Sequence, residues 1–199
     1  MSRLGVLLLL ASACVRAEVA IVIRTELGAI EAVLDDKRAP VTVSNLLKYV
    51  DAGHFNGGQF FRTVRSSPDN QPQTPVKIDV VQAAVKAEFG DKGFPPIPLE
   101  RTRDTGLKHV NGALSMARGG PDTAAGSFSI CIGDQPELDF GGKRQPDGQG
   151  FAVFGRVTAG MDVARKIHES PAGPSNAKGV AAGNQRLTPP IRILSIHRK

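Results

Sequence analysis

Chemistry in this chain is most readily placed on one arginine set in a short apolar strand. Gly57-Gly58-Gln59-Phe60-Phe61-Arg62-Thr63-Val64 reads as a β-strand from its aromatic and β-branched residues. A guanidinium is a planar, permanently charged fork of N–H donors, so Arg62 can hold or polarise a carbonyl-like group without giving up a proton. Taken alone, an arginine on a half-exposed strand is most often simply solvated. The residues around it must decide. The four histidines form neither a nucleophile elbow nor a coherent triad with a serine, which removes the hydrolase reading. The nearest thing to a basic patch is Arg101, Arg103 and Lys108, with no interleaved aromatics for base stacking, so nucleic acid is not an expected partner.

The elements that must position Arg62 follow from local patterning. Val19 to Thr25 and Ala29 to Leu34 are β-rich runs joined through Glu26-Leu27-Gly28, a first hairpin. After Pro40, Val43, Leu46, Leu47 and Val50 fall at helical spacing, with Thr42 or Ser44 as the expected cap and Gly53 as the stop. Arg65 to Pro75 holds three prolines and no apolar period, and is expected to be an exposed loop. Strand-like sequence resumes over Val76 to Ala84. Residues 85–110 contain Phe94-Pro95-Pro96-Ile97-Pro98, which suits neither a helix nor a central strand, and read as a long surface connection. Asn111 to Ala117, Ala125 to Ile130 and a run ending at Val157 are the next strands. Met161, Ala164 and Ile167, with Val163 beside them, mark a second helix. Ser170 to Pro190 reads as a mobile loop, and Pro190 to His197 as a last alternating strand.

Ala39 to Gly58, the arginine strand, Ser115-Met116-Ala117-Arg118-Gly119-Gly120-Pro121-Asp122-Thr123 and Phe151-Ala152-Val153-Phe154-Gly155-Arg156-Val157 agree in order and spacing with one family. From Val19 to His197 the chain resembles a cyclophilin, a peptidyl-prolyl cis-trans isomerase. The resemblance implies a mainly β fold, a closed eight-stranded antiparallel β-barrel capped by two α-helices, working without metal or other cofactor on proline-containing peptides and unfolded proteins. Arg62 would be the catalytic donor, with Gln82 holding the substrate backbone and orienting it. Met116, Phe128, Ser127, Ser129, Leu138 and Phe151 would bind substrate. Several of these depart from the family pattern: Ser129 replaces a phenylalanine that forms the floor of the proline pocket, Ser127 replaces a glutamine, Asp79 and Val80 stand for a Phe-Met pair, and Ala83-Ala84 for Gly-Gly. Glu137 stands where an aromatic favours cyclosporin, so weak sensitivity to that inhibitor is expected. The thinned pocket leaves a second reading, a catalytically weak proline-peptide-binding or chaperone module.

The chain of 199 residues suits one domain over residues 18–199. Residues 1–17 show a positive start, a short apolar run and small residues, the pattern of a secretory signal cleaved after Ala17. That run is too short to span a bilayer. Lipid attachment at Cys14 is the alternative. Either route places the protein outside the cytoplasm, periplasmic or secreted. Losing Arg3 and Arg16 with the leader lowers the formal charge from +6 to +4. Cys131 would then be the sole thiol, read as a small buried hydrophobe. A monomer suffices.

Overall fold

The computed structural model describes residues 19–72, 74–89, 93–174 and 183–199. The proposed leader and Cys14 lie outside these residues. Nine strands are present: β1 (Val19–Thr25), β2 (Gly28–Leu34), β3 (Gln59–Val64), β4 (Val80–Ala84), β5 (Ala113–Met116), β6 (Ser127–Cys131), β7 (Ala152–Ala159), β8 (Ala172–Gly173) and β9 (Arg186–Arg198). They run in the order β1-β2-β7-β5-β6-β4-β3-β9, and β9 pairs back onto β1, so eight strands close a barrel with the two-residue β8 appended to β9. Every pairing is antiparallel. Closure leaves the barrel no free edge. Helix α1 (Pro40–Asp51) packs on β7 and β9, while α3 (Met161–Glu169) packs on β2, β3 and β4. The expected barrel with two covering helices is therefore present, with a one-turn α2 (Thr102–Thr105) added.

Period-two alternation explains the core. Ile21, Ile23, Ile30, Phe60, Val81, Ala83, Leu114, Phe128, Ile130, Phe154 and Ile193 all point inward and are almost wholly buried. Each large aliphatic or aromatic side chain removed from water contributes about 1.5–3 kcal/mol. Rings from three strands meet edge to face, Phe128 with Phe60 at 6.4 Å and with Phe154 at 6.4 Å. Cys131 belongs to this interior, where burial pushes its thiol up to about 12, so it stays a protonated hydrophobe.

Local readings needed four corrections. Helix α1 has no side-chain cap from Thr42 or Ser44; Ala39 precedes it, Pro40 opens it, and Thr42 lies inside it, buried. The cap comes instead from Glu100, whose carboxylate accepts from the backbone N–H of Val41 at 3.0 Å and of Thr42 at 2.8 Å. The 85–110 connection is not merely superficial: Leu99, Thr102, Leu107 and His109 are buried, and Ile97 bridges to Ala124. Within Arg65 to Pro75, expected to be exposed, Asn70 and Gln71 are buried and fully engaged. The last strand begins at Arg186, so the end of the expected mobile segment is barrel wall; residues 175–182 lie outside the described residues.

Candidate active site

Four strands lay polar side chains in one row on the outer face of the sheet. Arg62 on β3 sits opposite Gln82 on β4, Gln82 opposite Ser129 on β6, and Ser129 opposite Ser115 on β5. The neighbouring row, Phe60, Ala83, Phe128 and Met116, faces the core. A bulge at Phe61 makes this possible, because Phe60 pairs with Ala83 while Arg62 pairs with the very next β4 residue, Gln82. In a regular strand Phe60 and Arg62 would share a face. The extra residue lets the ring anchor inside while the arginine turns out.

The row floors a cleft of about 620 Å³. Arg62, Gln82, Ser129, Leu138 and Phe151, five of the candidate residues, line it together with Ile78, Val80, Ser115, Ala117 and Arg118. Thr74, Arg144, Gln145 and Pro146 close its rim. Met116 and Phe128 do not belong to it. They are 1 % exposed and point into the barrel, because consecutive residues of a strand cannot share a face and Phe128 lies between Ser127 and Ser129. Ser127, on the same face as Ser129, holds Gln82 from the side: its hydroxyl accepts from Gln82 Nε2 at 3.2 Å and donates to the Ala83 carbonyl at 2.7 Å. Asp79 turns toward the 65–75 loop, where the Ser66 backbone N–H and hydroxyl donate to it.

Arg62 is held by two neutral amides. Gln82 Oε1 accepts from Nη1 at 3.1 Å, and Gln185 Oε1 accepts from Nε at 2.9 Å and Nη2 at 2.6 Å. Of the five guanidinium N–H groups these engage three, and the other two have no partner among the described residues. Gln185 is itself wholly buried and donates to the Asn70 carbonyl at 2.7 Å. Burial, and then the charge of Arg144, lowers the Arg62 guanidinium to about 10, so it remains charged at neutral pH. Among the described residues it has no carboxylate partner, and it lines the cleft. Gln185 was missed from sequence because it follows a Gly- and Pro-rich stretch; its contact to Arg62 spans 123 residues.

A second buried network supports Ser115. Asp139 Oδ1 lies 2.8 Å from His109 Nδ1, and His109 Nε2 lies 2.9 Å from Ser115 Oγ. Burial lowers the imidazole pKa against the opposing pull of Asp139. Burial raises the Asp139 carboxyl, but the bonds from His109 outweigh it and the net direction is down. The consistent assignment is an ionised Asp139, a neutral His109 donating from Nδ1, and a Ser115 hydroxyl donating to Nε2. Such a chain has the order of a hydrolytic triad. Ser115, however, is 3 % exposed within β5, and the network fixes the cleft floor instead of presenting a nucleophile. Among the described residues no group of three or more His, Cys, Asp or Glu side chains could hold a metal ion, and no helix is long and apolar enough to cross a membrane.

The model of the cyclophilin type peptidyl-prolyl cis-trans isomerase family matches residues 20–198. The chain belongs to that family. It is 35 % identical over 150 residues to peptidyl-prolyl cis-trans isomerase A of Dickeya dadantii, covering 75 % of this chain and 70 % of the relative. It is 32 % identical over 173 residues to the isomerase cyp18 of Streptomyces antibioticus, covering 82 % and 86 %. Among solved structures, a Cryptosporidium parvum cyclophilin superposes with a TM-score of 0.68 at 18 % identity, covering 92 % of this chain and 98 % of that one. This cyclophilin accordingly has the family's activity, isomerisation of the peptide bond preceding proline.

Proposed function

We propose that the X-Pro bond is turned in the 620 Å³ cleft, with Arg62 as the catalytic donor and Gln82 and Gln185 as positioning residues. The uncatalysed rotation must break amide resonance across a barrier of about 20 kcal/mol. No nucleophile or proton transfer is needed. As the bond twists, the prolyl nitrogen regains its lone pair and accepts a hydrogen bond that the planar ground state cannot make. A charged donor fixed at that position therefore binds the twisted state better than either planar isomer, which is the requirement for catalysis. The observation that carries this reading is Arg62 held by two uncharged glutamines with two N–H groups unspent. The prolyl ring would rest among Val80, Leu138, Phe151 and Ile78, and Ser129 leaves the floor open where the family commonly places a ring.

The substrates are proline-containing segments of proteins folding outside the cytoplasm, and the support for export is the leader-like pattern of residues 1–17. The open floor at Ser129 favours a second reading, a proline-peptide binder with little turnover. Exchange NMR on a neutral Ala-Pro peptide separates the two: accelerated cis-trans exchange supports the enzyme, whereas shift changes without acceleration support the binder. Cell fractionation with intact mass of the purified protein tests export. A cytoplasmic protein retaining Met1 would refute it.

A further inference from the structure

The cleft carries more positive charge than prolyl isomerisation requires. Three arginines line it, Arg62, Arg118 and Arg144, and no carboxylate is among its described lining residues. Arg118 is neutralised: Asp147 accepts from it through both oxygens at 2.7 Å and 2.9 Å, beneath the Phe151 ring. Arg62 and Arg144 have no acidic partner among the described residues. The nearby acids are engaged elsewhere, Glu137 accepting from the Lys143 N–H, Asp79 from Ser66, and Asp139 from His109.

Arg144 is a built feature of the site. It comes from the loop between Leu138 and Phe151, and its Nη1 donates to Gln71 Oε1 at 2.6 Å and to the Val76 carbonyl at 2.7 Å. Gln71 is wholly buried and pinned to the carbonyls of Arg65 and Ile78 at 2.6 Å and 2.8 Å. Two segments with no internal strand or helix, the proline-rich 65–75 loop and the glycine-rich 139–150 loop, thus serve to aim one guanidinium. Its Nε and Nη2 donors have no protein partner among the described residues. Half-buried cations that repel one another and lack a counter-charge are costly to the folded state, and an anion bound between them repays that cost.

We propose that the cleft selects X-Pro segments bearing a negative group, carboxylate or phosphate, within one or two residues of the proline, with Arg144 as the specificity-determining residue acting beside Arg62. This selectivity rests on the cleft assigned above as the peptide site. Substrates with acidic side chains and substrates phosphorylated next to proline offer the same chemistry to the two guanidinium groups. Neutral segments would use the proline contacts alone.

The test uses two sets of four peptides of one length, with Ala, Glu, phosphoserine or Lys immediately before the proline in one set and immediately after it in the other. Dissociation constants come from NMR shift titration and catalysed exchange from the same samples. Glu or phosphoserine peptides should bind about three- to ten-fold tighter than the Ala peptide, and the Lys peptide more weakly. The ratio should fall toward one in Arg144→Gln and in about 0.5 M salt, and persist in Arg144→Lys. The larger of the glutamate and phosphoserine effects identifies the source of the anion. Equal binding of acidic and neutral peptides by the wild type overturns the proposal, as does an advantage that survives in folded Arg144→Gln. If that variant does not fold, the salt dependence of the wild type and the Arg144→Lys ratio decide alone. Absent acceleration of the Ala peptide would sink the isomerase assignment of the cleft without touching the binding ratio, so the two failures are distinct.

Discussion

Replacing Gln185 with Ala isolates the contribution of a residue that touches no substrate. Its Oε1 accepts two N–H groups of Arg62 at 2.9 Å and 2.6 Å, and its Nε2 donates to the Asn70 carbonyl at 2.7 Å. Hydrogen bonds to a charged group contribute about 1.5–3 kcal/mol and a neutral one about 1 kcal/mol; with the two N–H groups that share one oxygen counted as a single charged bond, the folded state should lose about 3 kcal/mol. The larger effect falls on catalysis. Arg62 would keep its bond to Gln82 at 3.1 Å but gain freedom about its long side chain, and a misplaced donor loses most of its preference for the twisted bond. A loss of about ten- to hundred-fold in the catalysed rate is expected, with peptide affinity changed only slightly. Exchange spectroscopy at saturating peptide gives the rate, shift titration the affinity, and urea unfolding the stability. A variant that is destabilised yet exchanges peptide at the wild-type rate would refute the positioning role.

Three further outcomes follow from other parts of the molecule. Glu100→Ala should lower unfolding stability by about 1–2 kcal/mol, read as a melting shift of about 3–6 °C, because two backbone donors of α1 lose their acceptor while the cleft, which Glu100 does not line, keeps its activity. His109 has its pKa lowered by burial, so the unfolded chain binds a proton that the folded one refuses. Stability should therefore be complete above about pH 6.5 and decline as pH falls below it, and urea titrations at pH 7.5 and 5.5 should show the loss, absent in His109→Gln. Cyclosporin should inhibit only weakly, given Glu137 in place of an aromatic; nanomolar inhibition in the exchange assay would contradict this.

Much of the barrel was legible because β1 and β2 are runs rich in β-branched and apolar residues, and because the last strand, with one buried face, alternates. The resemblance pointed to Arg62 as a donor and to Gln82 as the residue that orients it, and the fold sets them side by side. What could not be read was long range or irregular. The Phe61 bulge leaves no mark in composition, yet it alone puts Phe60 and Arg62 on opposite faces. Glu100 caps a helix 59 residues away, and Gln185 orients an arginine 123 residues away; both sit in segments whose prolines and glycines signal loop and nothing more. Assigning Phe128 and Met116 to the pocket failed for a simpler reason. Ser127, Phe128 and Ser129 are consecutive on β6, and one strand face cannot present all three.

Arg62→Ala tests the central claim most directly. Exchange NMR should compare it with the wild type on a neutral Ala-Pro peptide, at concentrations giving equal saturation. Accelerated exchange is expected in the wild type and a fall of at least about hundred-fold in the variant, with peptide still bound and the fold intact by its amide spectrum. Exchange that persists within a few-fold of wild type in the folded variant would contradict the assignment of Arg62 as the donor.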